Sequence, residues 1–443
     1  MLRAGDSSDL DPAGQPPSSS TGILDRLRAR VFYGWWMVAS GFGIQFLISG
    51  LFNQAYGAYV VVLRDDLGWS KTALSGGFSL ARFENGLLGP VEGWLCDRLG
   101  PRTVIRIGLT VFAFGMMLLS QVHSLMAFYF ALFLMALGSS LGGFLPLNVA
   151  VVNWFRRRRA SAMAIMSTGF SVGGLAVPLV AFCLVEYGWR STAFGSGVLI
   201  LFVGLPLSQV VRHRPEQYGE VIDGVRYGSR AAGDDGRPSA VIDDGEDFTA
   251  RQALRTRAFW FVSLGHSMAL LVVSAVSVHL IAHLNENLGY SLGTAALVVA
   301  LLTGVQTLGQ LAGGYLGDRF SKRLIVTCAM AMHMIGLLLV AYATNFAMVI
   351  AFAVVHGLAW GMRGPLMSAI RADYFGRTSF GLILGFSSMV TMFGSILGPL
   401  VAGILADRTG SYETGFTVLA LLAGAGSVFF LLAKRPQHPG VAA

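Results

Sequence analysis

The sequence predicts an all-α membrane protein of about twelve transmembrane helices, arranged as two repeats of six. Of its residues, 54% are hydrophobic and 13% are charged, about half the charged fraction of a soluble domain. The apolar residues form uncharged blocks long enough to cross a bilayer. Two sets of segments also recur in the same order and at the same spacing.

Short polar loops and one long polar segment separate the predicted spans. The spans cover residues 34–62, 71–95, 103–121, 125–152, 160–184, 190–211, 257–283, 291–316, 324–343, 346–370, 379–404 and 413–433. We expect six-helix bundles at 31–211 and 256–435, a linker at 212–255, and cytoplasmic tails at 1–30 and 436–443. The first tail is rich in Ser, Pro, Gly and Asp and lacks a cleavable apolar core, so we expect it to be disordered.

The Lys and Arg residues predict the orientation. Most of the 32 lie in the tails or in every second loop, and we place Arg371 and Arg377 in one such loop. Because cytoplasmic loops carry an excess of these residues, we expect both termini in the cytoplasm and the protein in a bacterial inner membrane. Basic loops beside an anionic leaflet account for the net charge of +8 without nucleic acid. The expected partners are the lipid bilayer and a small-molecule substrate, and the expected state is a monomer.

An internal repeat relates the two halves. Residues 93–102 read G-W-L-C-D-R-L-G-P-R, and residues 314–323 read G-Y-L-G-D-R-F-S-K-R. Pro178 and Pro399 lie in a second matching pair, and their separation along the chain equals that of Asp97 and Asp318. Separate elements at one spacing indicate a duplicated six-helix unit.

The repeated loop resembles the signature G-x-L-x-D-R-x-G-x-R of the major facilitator superfamily. Its fixed positions are Gly93, Asp97, Arg98, Gly100 and Arg102 in the first copy and Gly314, Asp318, Arg319 and Arg323 in the second. The second copy departs at Ser321, where the first has Gly100. The resemblance covers residues 30–435 and implies two bundles around a central cavity, with alternating access by rocking of the halves.

The signature loops are candidates for a gate. We expect Asp97 to bind N–H groups at the N-terminus of another helix, and Arg98 and Arg102 to bridge to the neighbouring bundle. Such contacts would hold one side of the cavity shut. The alternative is that these charges only set the topology.

A finer resemblance concerns the substrate. Residues 32–38 (F-Y-G-W-W-M-V) and 154–160 (W-F-R-R-R-R-A) resemble segments of the monocarboxylate and oxalate/formate carriers. This resemblance implies a small organic anion. Those carriers usually place a cationic residue in the eighth helix, whereas this helix has Gln306 and no charge. A carboxylate substrate would therefore need its countercharge from elsewhere.

Arg82 in the second span and Arg363 in the tenth are candidates for this countercharge. Charged groups within a span are costly and seldom face lipid. The alternative is that each arginine forms a structural ion pair with Glu84 or Glu92. Glu84 is also a candidate for proton coupling, because buried carboxyl groups form proton relays in transporters.

Other polar residues within spans are weaker candidates for substrate binding. Asn53 and Tyr56 share a face of the first span, although interhelical packing is an equal alternative. Gln306 lies in the eighth span and His279 in the seventh. His279 and His283 form an i, i+4 pair without an evident third ligand, so we expect no metal.

The remaining function classes find little support. We find no P-loop, hydrolase or metalloprotease motif, and so expect neither an enzyme nor a cofactor. The favoured hypothesis is a secondary transporter that moves a small organic anion, such as a monocarboxylate, with protons or by exchange. An exporter of drug-like or hydrophobic solutes with the same fold is the alternative, followed by a non-transporting membrane sensor.

Overall fold

Within the described residues, helical segments correspond to each of the twelve predicted spans, and short helices lie at Pro215–Tyr218, Ile222–Gly224 and Ala250–Leu254. The computed structural model describes residues 31–69, 83–84, 86–224 and 247–438. Its helices are α1 (Tyr33–Ile48, Ser49–Asn53 and Tyr56–Leu67), α2 (Gly89–Leu99 in its described part), α3 (Pro101–Leu119), α4 (Leu125–Gly142 and Phe144–Trp154), α5 (Arg159–Val172, Gly173–Ala176 and Val177–Glu186), α6 (Gly188–Leu199, Ile200–Gly204 and Leu205–Val210), α7 (Arg257–Ala282 and His283–Asn287), α8 (Leu292–Gly317), α9 (Lys322–Ala341), α10 (Phe346–Phe375), α11 (Phe380–Thr409) and α12 (Tyr412–Leu432).

The helices have the length and composition of membrane spans. Within the described ranges, eleven of them are long and apolar enough to cross a bilayer. The second predicted span, 71–95, falls largely on residues 71–82 and 85, which lie outside those ranges. Large apolar side chains such as Leu175, Val185 and Phe202 are at least 75% exposed. An aqueous protein would bury such a surface, whereas here lipid can cover it.

Close packing within each half depends on glycine. A Cβ atom on Gly108 of α3 would lie 2.1 Å from the backbone nitrogen of Gly142 in α4. In the second half, a Cβ on Gly361 of α10 would lie 2.1 Å from the Gln306 carbonyl oxygen of α8. Since lipid is as apolar as the helix surfaces, such close backbone contact is what favours association of membrane helices.

The two signature loops differ in backbone conformation. Gly100 has φ +79° between α2 and α3, in the left-handed region that favours glycine. Ser321 stands at the matching point between α8 and α9 with φ −60°. The second loop therefore does not require glycine, which explains the departure from the signature there.

The described ends of the predicted linker are attached to two loops. The Asp223 carboxylate accepts hydrogen bonds from the backbone N–H groups of Arg156 and Arg157. At the other end, Asp247 accepts hydrogen bonds from the N–H groups of Arg377 and Thr378. In each half, an aspartate near one end of the linker thus accepts backbone hydrogen bonds from equivalent loops, α4–α5 and α10–α11. Residues 225–246 lie outside the described residues.

We call one end of the molecule the basic face. It comprises the α2–α3, α4–α5, α8–α9 and α10–α11 loops, at residues 97–102, 155–159, 317–322 and 376–379. Both described ends of the chain lie there, since Phe32 packs on Phe155 and His438 packs on Phe248. At the opposite end, the Asp66 carboxylate accepts hydrogen bonds from Trp189 and Arg190, which hold the pKa of Asp66 below its ordinary value.

Candidate functional site

A carboxylate of the first half caps a helix of the second. The Asp97 oxygens accept hydrogen bonds from the N–H groups of Gly381 and Leu382, at 3.0 and 2.9 Å. These groups belong to the first turn of α11, where N–H groups have no partner within the helix. The positive end of the helix dipole also favours a carboxylate there. Asp97 thus joins the first half to the second at the start of α11.

The second half makes the equivalent contact with the first. The Asp318 oxygens accept hydrogen bonds from the N–H groups of Ala160 and Ser161, at 2.8 and 3.0 Å. These groups belong to the first turn of α5. We refer to the contacts made by Asp97 and Asp318 as the two clasps. Because each clasp joins opposite halves, together they hold the basic face closed.

An ion pair between Arg159 and Asp373 joins the halves beside the clasps, and Lys322 of the second half binds the same carboxylate. Asp373 of α10 lies 2.7 Å from the guanidinium of Arg159 in α5 and 2.7 Å from the ammonium of Lys322 in α9. Deeper in the molecule, Gln310 of α8 donates a hydrogen bond to Ser171 of α5 at 3.2 Å. Among the described residues, the hydrogen bonds between halves lie at this face or along α5 and α8.

The signature arginines do not have the predicted role. Arg98 lies over the ring of Trp94 in its own helix, 5.2 Å from the ring centroid. Arg102 donates a hydrogen bond to Gln209 of α6, within its own half. The prediction that Arg98 and Arg102 bridge to the other bundle is therefore wrong for this arrangement. The contacts between the halves at these loops are made instead by the aspartates, which accept hydrogen bonds from backbone N–H groups.

The signature glycines allow the halves to touch. A Cβ on Gly93 would lie 2.1 Å from the Gly381 carbonyl oxygen, and one on Gly314 would lie 2.5 Å from the Ala164 Cβ.

The guanidinium of Arg319 stacks over the ring of Tyr315, 3.7 Å from the ring centroid. Arg323 stands beside it, at the start of α9.

A buried arginine occupies the second half. Arg363 of α10 is 1% exposed, and its Nε and Nη1 atoms have no hydrogen-bond partner among the described residues. Within the described chain no acidic residue forms an ion pair with it, so the alternative of a structural pair with Glu84 or Glu92 is not what this structure shows. A buried guanidinium without an anion is costly.

The position predicted for a second buried arginine is wrong. Arg371, predicted to lie in a loop, belongs to α10 and is 1% exposed. It donates hydrogen bonds to Ser387 of α11 and to the Nδ1 atom of His266 in α7, at 2.5 and 3.1 Å. The helix continues past the end of the apolar block because these distant residues solvate the charge.

Two histidines lie close to Arg363. The Nδ1 atoms of His333 in α9 and His356 in α10 are 3.2 Å apart, and both rings are fully buried. Both interact electrostatically with Arg363. The interior of the second half thus concentrates guanidinium and imidazole groups, with no carboxylate paired to Arg363 or Arg371 in the described part of the chain.

The first half has the opposite character. Glu84 of α2 is 5% exposed, and neither of its carboxyl oxygens has a hydrogen-bond partner among the residues described. Glu92 is also buried and accepts a hydrogen bond from Ser140 of α4 at 2.6 Å. Arg82 lies outside the described residues, so the geometry says nothing of its partners.

The other predicted binding residues are dispersed. Asn53 lies in the π-helical turn of α1 and donates a long hydrogen bond to the Ile48 carbonyl. Tyr56 is buried and packs on Phe52. The structure does not bring these residues together with Arg363.

Two predicted residues remain in the second half. Gln306 is half-buried on α8, with no side-chain hydrogen bond among the described residues. His279 donates from Nε2 to the Pro399 carbonyl of α11 at 3.0 Å and packs against Tyr412. His279 thus joins helices of one half near the face opposite the basic one. Within the described residues, no group of three metal-ligating side chains is found.

Two glycines have open space beside them. A Cβ atom on Gly57 of α1 or on Gly364 of α10 would meet no atom within 4 Å.

Two similar helical halves that meet at one face are typical of membrane transporters. The family model described as Major Facilitator Superfamily matches residues 41–281 and 262–443. The chain belongs to the Major Facilitator Superfamily.

Similar proteins have several named substrates. Monocarboxylate transporter 13 of Rattus norvegicus is 26% identical over 91% of this chain and 92% of its own length. The oxalate:formate antiporter of Oxalobacter formigenes is 24% identical over 81% of this chain and 79% of its own. The MFS transporter asaE of Aspergillus flavus is 28% identical over 64% of this chain, which spans 60% of that relative. An E. coli fucose:proton symporter has a similar fold, with a TM-score of 0.70 at 15% identity over 90% of this chain and 98% of that one.

Proposed function

We propose that this transporter moves a small organic anion, such as a monocarboxylate, by secondary active transport. The observation that carries the proposal is Arg363, a buried guanidinium in a membrane helix without an anionic partner among the described residues. A substrate carboxylate would supply the missing anion and accept hydrogen bonds from the free Nε and Nη1 atoms.

The similar proteins support this choice of substrate. A monocarboxylate transporter and an oxalate:formate antiporter each match most of the chain. The eighth helix carries Gln306 and no charge. In our proposal, Arg363 supplies the countercharge from α10, and Arg82 of the second predicted span is a second candidate.

Coupling to protons or to exchange completes the proposal. Glu84 is buried in a membrane helix without a cationic partner among the described residues, which suits a group that takes up and releases a proton. We also propose that the basic face is cytoplasmic, since it carries the loops rich in Arg. The closed clasps would then shut the cavity from the cytoplasm.

The first experiment measures uptake of radiolabelled formate, oxalate and lactate into proteoliposomes, with and without an inward proton gradient. We expect saturable uptake by the native protein. Arg363→Gln should weaken it roughly thirtyfold or more, because losing a buried charge contact costs at least about 2 kcal/mol.

The matched control is the same substitution at an arginine for which we propose no role in substrate binding. Arg251→Gln removes an exposed arginine from the short helix Ala250–Leu254, and should leave uptake unchanged. Undiminished carboxylate uptake by a folded Arg363→Gln variant would refute the role of Arg363. Absence of carboxylate uptake by the native protein would favour the exporter of hydrophobic solutes instead.

A further inference from the structure

A cavity of about 670 Å³ lies at the basic face, apart from the buried arginines. It is lined by Val31, Phe32, Trp35, Phe155, Arg157, Arg158, Asp223, Asp318 and Arg319. Phe155, Arg157 and Arg158 come from the α4–α5 loop, whereas Asp318 and Arg319 come from the α8–α9 loop. The cavity therefore straddles the two halves.

The carboxylates of the cavity are already engaged. Asp318 forms a clasp with Ala160 and Ser161, and Asp223 caps the backbone of Arg156 and Arg157. Each therefore points its oxygens at N–H groups of the backbone. Both carboxylates keep their charge, so the three arginines that line the cavity exceed its two carboxylates by one positive charge.

The guanidinium groups, by contrast, are available. Arg157 and Arg158 are exposed, and their side chains have no hydrogen bond or ion pair with the described residues. Arg319 is also exposed and stacks on Tyr315, which leaves its N–H groups free at the ring edge. Three guanidinium groups around one cavity favour an anion with several oxygens, and the planar fork of arginine fits phosphate.

The remaining wall is aromatic. The Phe155 ring packs against Phe32 and Trp35, with ring centroids 5.4 and 5.0 Å apart. Aromatic rings of this kind occur at the level of lipid headgroups in membrane proteins. The cavity thus offers charge at one side and an apolar surface at the other.

We propose that this cavity binds a phosphate ester, with the phosphate among Arg157, Arg158 and Arg319 and its organic part against the aromatic rings. The phosphate ester is either the headgroup of an anionic lipid or a soluble metabolite. Because both halves line the site, it is complete only while the clasps are closed. Its ligand therefore stabilises the closed arrangement and acts as a regulator.

The test uses the full chain in nanodiscs of phosphatidylcholine, alone or mixed with phosphatidylglycerol. Glycerol phosphate is added to the phosphatidylcholine sample as the soluble probe. The readouts are the unfolding temperature and the distance between spin labels on Thr103→Cys in α3 and Leu324→Cys in α9, with the three native cysteines replaced by Ser. Both labelled positions are exposed at the basic face, in opposite halves.

A phosphate ester should raise the unfolding temperature and increase the population with the short distance. In Arg157→Gln/Arg158→Gln, the concentration of phosphate ester for half effect should rise about fivefold per arginine lost. An Arg157→Lys/Arg158→Lys variant keeps the charge and should retain most of the response. Arg251→Gln/Arg255→Gln is the matched control, because it removes two exposed arginines elsewhere on the same side.

The outcomes distinguish an anionic lipid headgroup from a soluble phosphate ester as the ligand. A response to phosphatidylglycerol alone assigns the site to lipid, and a response to glycerol phosphate in phosphatidylcholine assigns it to a soluble ester. The proposal is overturned if neither probe changes the native protein, or if the Arg251/Arg255 control loses as much of the response. Transport is not measured, so the result is independent of the proposed substrate.

Discussion

In the described part of the chain, the buried charges without an ion-pair partner are acidic in the first half and basic in the second. Among the described residues, the first half buries Glu84 and Glu92 without a basic partner, and the second half buries Arg363 and Arg371 without an acidic one. Such groups destabilise a membrane fold, because each loses hydration without gaining a counterion. Their presence fits a transport cycle in which a proton and an anion are the missing partners.

A substitution at Glu84 distinguishes proton coupling from anion transport. Glu84→Gln removes the ionisable group and keeps the size of the side chain. We expect stimulation of uptake by an inward proton gradient to disappear, while exchange of labelled for unlabelled solute at equal pH continues. Parallel uptake and counterflow assays in proteoliposomes measure both quantities.

The control for that prediction is Glu186→Gln, which changes an exposed carboxyl at the end of α5. Its gradient stimulation should match that of the native protein. Full gradient stimulation in Glu84→Gln would remove Glu84 from the coupling mechanism and leave Glu92 as the next residue to examine.

Individual residues show where sequence reasoning ends. The position of Arg363 within an apolar block marks it as unusual without any structure. Arg371 was missed because a predicted span ends at the first charged residue that follows an apolar block. Its partners Ser387 and His266 come from other helices, and no local pattern records them.

At the scale of elements, the contact between α2 and α11 depends on the absence of side chains. Gly93 faces the Gly381 carbonyl, and Gly89 faces that of Gly385. We expect Gly93→Ala to destabilise the closed arrangement by about 1–3 kcal/mol, since the added methyl overlaps backbone that cannot move aside. The distance between the Thr103 and Leu324 labels should then shift toward longer values.

Gly57→Ala is the control for this substitution, because a methyl group on Gly57 would enter open space. It should leave the distance distribution unchanged. A short distance retained in Gly93→Ala would mean that α2 and α11 can separate locally without opening the basic face.

The order of the helices was predictable, whereas their interruptions were not. Apolar blocks and alternating positive loops place the described helices within a few residues of the predicted spans. The π-helical turns at Ser49–Asn53, Ile200–Gly204 and His283–Asn287 have no local signature. They depend on packing between helices, which an apolar pattern does not specify.

At the scale of the whole molecule, the repeat produces two clasps that act in parallel. Asp97→Asn and Asp318→Asn each replace a carboxylate at a helix N-terminus by a neutral amide. We expect each to shift the equilibrium away from the closed arrangement by about 1 kcal/mol. The double variant should show the sum of the two shifts, because additivity holds for sites without shared partners.

The same pair of spin labels measures these populations, and Asp407→Asn, an exposed carboxyl near the end of α11, serves as the control. A double variant no more open than either single one would show that the clasps form one coupled unit. Unchanged populations in all three variants would mean that the glycine contacts and the Asp373 ion pairs suffice for closure.

The four backbone hydrogen bonds of the clasps also bear on the pace of the cycle. If the clasps gate the cavity as we propose, all four must break before solute can pass the basic face, and they then contribute to the activation barrier for opening as well as to the stability of the closed arrangement. Tighter clasps would lengthen the dwell time and lower the turnover number, whereas looser ones would permit leakage down the solute gradient. The two aspartates therefore set a compromise between speed and tightness.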